Sequence, residues 1–152
     1  MKTVADPAVL ADLTARLGRL RGDSARRWGS LSAHEMLCHL GDSTAMALGT
    51  RPALPPAPSR RRRLFKALAL WSPLRWPHGI RTRPVLDPRA EGTRPAAFGD
   101  DLARVIDGLQ RVAAAAPEAL IASHVVFGAM TLRDWQRWAY KHTDHHLRQF
   151  GA

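Results

Sequence analysis

An all-α fold, an antiparallel four-helix bundle, follows from three features of this 152-residue sequence. Four stretches repeat apolar residues at helical spacing, start and stop signals bracket them, and no two segments alternate as a strand pair requires. The first helix starts at Asp6, an N-cap followed by Pro7 at the first helical position. In that pairing the side chain accepts an orphan backbone N–H and the proline forfeits none. Leu10, Leu13, Leu17 and Leu20 form its apolar stripe, which ends near Gly22. Ser32 and Glu35 fit a capping box, so the second helix runs from about Ala33 to Leu48 and stops at Gly49. Its inward stripe holds Met36, His39, Leu40, Ser43 and Ala47.

Residues 51–59 carry four prolines and form a connector. Ser59 caps a short extra helix over Arg60–Trp71, ended by Pro73. From Ser72 to Ala97, prolines at 73, 77, 84, 88 and 95 rule out a long regular element. A loop of that length is expected to be functional or mobile. A helix follows from about Gly99 to Ala116, with Leu102, Val105, Ile106, Leu109 and Val112 inward. A second connector, Pro117–Met130, contains His124. Thr131 with Asp134 opens the last helix, which places Trp135, Trp138, His142, His146 and Gln149 on one broad face. The whole of 1–152 reads as one domain.

Composition narrows the class. The 45% hydrophobic content is globular, and a single cysteine, Cys38, excludes an internal disulfide framework and a cysteine-rich zinc knuckle. The first residues lack the apolar core of a signal peptide, and no apolar run reaches the ~20 residues that span a bilayer. A cytoplasmic protein is expected. The net charge of +10 is nearly all arginine, the only lysines being Lys2, Lys66 and Lys141. It is spread along the chain apart from Arg60–Arg63, whereas a nucleic-acid binder gathers its basic residues on one face. No specific nucleic-acid partner is expected. The segment Arg60–Trp71 suits an anionic membrane surface, but packing on its own domain or on a second copy in a homodimer is the favoured reading.

The last helix carries three of the seven histidines, His142, His145 and His146. At about 100° per residue His142 and His146 lie one turn apart on one face, and Gln149 continues it. Two imidazoles at that spacing offer two nitrogens to one ion. His39, on the inward stripe of the second helix, is the candidate third ligand. His145 competes with His146, since it lies three residues after His142, but the tryptophan face favours His146. The alternative reading makes these residues polar surface or satisfied core histidines. Imidazole suits zinc, nickel, copper and iron alike. Glu35 and Asp42 are candidates to fix the His39 ring, and Gln149 or Glu35 to orient the reactants; Asp144 points away from the site. Cys38 is a packed thiol about 100° from His39, His34 faces solvent, and His78 and His124 lie in connectors able to fold over the site.

The pattern Trp28-x-x-Leu-Ser-x-x-Glu35-x-x-x-His39-Leu, with the tail His142-x-x-x-His146-x-x-Gln149, resembles the DinB-like superfamily over nearly the whole chain. Tyr140-Lys-His-Thr-Asp-His-His-Leu-Arg-Gln-Phe-Gly151, preceded by Val126-Phe-Gly128, resembles more narrowly a branch of that superfamily with no assigned reaction. The resemblance implies an up-down-down-up four-helix bundle with His39, His142 and His146 on one divalent ion, commonly zinc or nickel. Relatives of this kind include transferases and isomerases that use low-molecular-weight thiols such as bacillithiol or mycothiol. The expected function is therefore a metal-dependent transferase or hydrolase, acting on a small molecule with a thiol or water as nucleophile. The alternative is a non-catalytic, stress-related helical scaffold in which the metal is structural or absent.

Overall fold

Helices dominate the computed structural model, which describes every residue except 53, 55, 56 and 58; the proline-rich connector predicted at 51–59 thus lies partly outside the described residues. The order is α1 (Pro7–Gly18), α2 (Ala33–Ala47), α3 (Arg60–Trp71), α4 (Phe98–Ala114), β1 (Ser123–His124), β2 (Gly128–Ala129) and α5 (Leu132–Gln149), with short 3-10 turns at Pro84–Leu86 and Pro117–Ala119. The mostly helical fold and the helix order agree with the sequence reading.

Local chemistry sets the helix starts. Asp6 accepts from Ala8 N–H at the head of α1. Ser32 and Glu35 bond each other's backbone N–H at the head of α2, and Thr131 and Asp134 do the same for α5. Asp134 does more than cap: it also accepts from Lys66 Nζ (2.7 Å) and Trp71 Nε1 (2.8 Å), which fastens α3 to the start of α5.

α2 is the central helix. Its predicted stripe is buried as expected, but so are Leu37, Cys38, Asp42 and Thr44 on its other sides. It packs chiefly on α4, also on α5, and the 3-10 turn at Pro84–Leu86 covers a further side. The α2–α4 approach needs Gly108, where an added Cβ would collide with Thr44. α1 packs on α4 and α5. Leu13, Leu17, Met36, Leu40, Val105, Leu109, Trp135 and Leu147 share one apolar core.

One expectation needs correction. A strand pair exists: β1 and β2 are antiparallel, with His124 opposite Gly128. Alternation could not reveal it, because a side chain builds its turn: His124 Nδ1 accepts from the N–H groups of Val126 and Phe127 (3.0 and 3.3 Å), and Gly128 takes φ +70°. α3 packs on the rest of the chain in part, as expected: Leu70 is buried and Phe65 stacks on Phe127 with ring centroids 5.7 Å apart, while Leu64 and Leu68 stay exposed.

Candidate metal centre

His39, His142 and His146 come together where the middle of α2 meets the last two turns of α5. Their ligand nitrogens lie within 4.8 Å of one another, so the three could hold one metal ion. This is the trio expected from the sequence. His145 is not in it: it is buried beside the trio, with its ring centroid 5.3 Å from that of His146, and its Nδ1 has no hydrogen-bond partner among the described residues.

The hydrogen bonds around the trio select tautomers. His39 Nδ1–H donates to the carbonyl of Leu86 (2.9 Å), which leaves its Nε2 as a lone pair. The Trp28 carbonyl can only accept, so the Gln149 amide turns its NH2 toward it (2.7 Å) and its Oε1 toward His146 Nδ1 (3.0 Å). His146 therefore donates from Nδ1 and also keeps Nε2 free. The Nε2 atoms of His39 and His142 stand 3.0 Å apart. Two nitrogens at that distance need a proton or a cation between them. Trp138 stacks on the His142 ring, with centroids 5.0 Å apart and planes 27° from parallel.

Burial is the main reason all three rings resist protonation. It lowers His39, and it pushes His142 and His146 well below the ordinary histidine range, reinforced by the neighbouring imidazoles. A neutral imidazole with a free nitrogen is the form a metal takes. The three imidazoles thus fit a divalent transition ion in charge state and in spacing, and His39 and His146 in tautomer as well.

The other expected residues fall in different places. Glu35 does not line the site. Its carboxylate caps α2 and binds Arg89 at 2.6 and 2.8 Å, with Arg89 and the Ser32 backbone holding it at a pKa of about 2. Asp42 does not bond His39 either; it accepts from Thr93 N–H (2.7 Å) and Thr93 Oγ1 (2.6 Å), and pairs with Arg104 and Arg51. The group that fixes the His39 ring is instead the Leu86 carbonyl, which sequence reasoning missed. Asp144 pairs with Arg16 and Arg148, away from the site. His124 lines the cavity at the site, with burial lowering its pKa to about 3, and its Nδ1 is used by the hairpin. His78 stacks on Trp28 at 4.0 Å.

A second group, His34, Cys38 and Asp101, also brings its ligand atoms within 4.8 Å. Here His34 is not the solvent-facing residue expected: its Nε2 bonds Asp101 on α4 at 2.8 Å. Burial and the Asp101 charge push the Cys38 thiol up to about 12, so it stays protonated, a poor ligand and a poor nucleophile. The packed role expected of Cys38 agrees with this.

A cavity of about 400 Å³ opens over the three histidines, within the size range of small-molecule sites. Its walls come from α3, the 72–97 loop, the hairpin and α5.

A helical fold that aims three imidazoles from two helices at one point, below a cavity, defines a protein with a candidate metal centre. The chain belongs to the DinB superfamily, whose family model matches residues 8–150. Against curated proteins and against solved structures the chain finds no match. Among the described residues, no helix is long and apolar enough to cross a membrane.

Proposed function

We propose that this protein is a metal-dependent enzyme of the DinB superfamily, built on an antiparallel bundle of α1, α2, α4 and α5. It acts on a small molecule with a low-molecular-weight thiol or water as nucleophile. The observation that carries the reading is the convergence of His39, His142 and His146 nitrogens within 4.8 Å, two of them turned by hydrogen bonds that leave Nε2 free. An ion held there, zinc or nickel, supplies Lewis acidity that lowers the pKa of a thiol or a water.

The chain's own residues do the rest. Trp138 and the hydrogen bonds that His39 donates to the Leu86 carbonyl and His146 to Gln149 Oε1 hold the rings in place before anything binds, so little ordering remains to be done on binding. Gln149 enters as the positioning residue of His146. Glu35 acts at a distance: with Arg89 it holds the loop that carries Leu86 onto His39. The apolar cavity walls exclude water from the reacting groups, which strengthens every polar contact inside.

Metal analysis of protein purified without a histidine tag tests the reading. About one equivalent of transition metal per chain, and a thermal shift on adding zinc or nickel, are expected. Less than roughly a tenth of an equivalent, with no shift, overturns it.

A further inference from the structure

The cavity over the histidines changes character along its depth. At the inner end lie buried polar side chains: His39, His145 and Ser43, whose hydroxyl also has no partner among the described residues. The walls are apolar and aromatic. At the mouth, Phe65, Leu68, Leu74, Ile80 and Val126 are 38–62% exposed and still line the cavity. They are five of the eight large apolar side chains that are exposed among the described residues. Single exposed apolar residues are ordinary, whereas a cluster around one opening marks a surface that something apolar covers. Arg75 and Arg83 line the same cavity and are exposed. Neither side chain has an ion-pair or hydrogen-bond partner among the described residues.

We infer that the substrate is an elongated amphipathic anion. Its reacting polar end reaches the histidines, its apolar body lies between Trp76, Phe127 and the mouth residues, and its carboxylate or phosphate meets Arg75 and Arg83. The inference rests on the reading of this cavity as the substrate chamber, and it adds the substrate's chemical class. A compact polar molecule would leave the apolar mouth uncovered. A neutral apolar molecule would leave two arginines unused, where each could hold an anion by paired N–H donors.

Binding of 11-(dansylamino)undecanoate to the full chain tests it. Trp76 and Trp138 line the cavity, so energy transfer from tryptophan to the dansyl group reports occupancy. Saturable one-to-one binding is expected, reversed by dodecanoate and about tenfold less well by dodecanol. The double variant R75Q/R83Q should remove that preference by weakening dodecanoate about tenfold and leaving dodecanol unchanged. Leu68→Ser, at an exposed position where folding is not at risk, should weaken both.

Equal binding of dodecanoate and dodecanol, or variants indistinguishable from wild type, overturns the proposal. So does co-sedimentation with phosphatidylglycerol vesicles without displaceable probe binding, which would make this face a membrane contact. A dimer that Leu68→Ser dissolves, again without displaceable probe, assigns the mouth to a second copy and overturns it too. Running the titration on metal-free and zinc-loaded protein separates the two readings. Dodecanoate binding without zinc uptake sinks the metal reading alone, and zinc uptake without dodecanoate binding sinks this one alone.

Discussion

At the scale of single residues, the Gln149 amide is held at both ends. Its two ends are spoken for by Trp28 and His146, and Gly29, at φ +81°, passes so close that an added Cβ would collide with it. Gln149→Leu keeps the volume and removes both bonds, so His146 loses the acceptor that sets its tautomer. Metal affinity is expected to fall by about ten- to a hundredfold, measured by competition with a chelator, while the helical signal of the folded chain is retained. An unchanged affinity would show that Gln149 is not the positioning group. His142 and His146 were legible from their spacing, because side chains one turn apart on a helix must share a face, and His39 from its place on the inward stripe of α2 and from the family resemblance. The Leu86 carbonyl was not legible, since every residue carries the same backbone oxygen and nothing in residue type announces which one will be used.

At the scale of elements, the starts of α1, α2 and α5 were readable because caps are local chemistry, whereas Ser59, expected to cap α3, stands at its N-cap without a side-chain cap bond. Glu35 illustrates the energetics. Its carboxylate is held at about 2 against an ordinary value of 4.5. A depressed acid stabilises the fold above its unfolded pKa and loses that contribution as pH falls through its folded one. Glu35→Gln should therefore lower stability by about 1 kcal/mol at neutral pH. The gap between wild type and variant should close as pH falls from 4.5 toward 2, followed by denaturant unfolding at each pH. A pH-independent gap would mean that the ionic form of Glu35 contributes nothing. The hairpin and the exposed face of α3 were not legible. The first depends on one histidine ring bonding two backbone groups, and the second on what happens to lie opposite an amphipathic stripe.

At the scale of the whole molecule, the 72–97 loop is the piece whose placement decides the site. Its prolines forbid a long regular element, so beyond its own short turns it is held by bonds to α2 and to Arg51 just after that helix: Thr93 to Asp42, Arg89 to Glu35, and Arg51 to the carbonyls of Val85 and Glu91. Asp42 is almost fully buried and balances two arginines. Asp42→Asn keeps the shape and removes the charge, which is expected to cost about 3 kcal/mol. Trypsin should then cut after the exposed Arg75 and Arg81 faster than in wild type, as read from fragment masses. Equal cutting rates would show that Asp42 does not hold the loop.

The sequence by itself determined which segments are helices, about where they start, and that His142 and His146 share one face of the last helix while His39 lies on the inward stripe of α2. Helical periodicity and capping act over a few residues, and those residues are adjacent in the chain. Only the tertiary structure decided that His39 meets His142 and His146, that a loop carbonyl turns the His39 ring, and that an apolar mouth with two arginines stands over them. These are encounters between groups tens of residues apart, and packing, not local pattern, sets which of them meet.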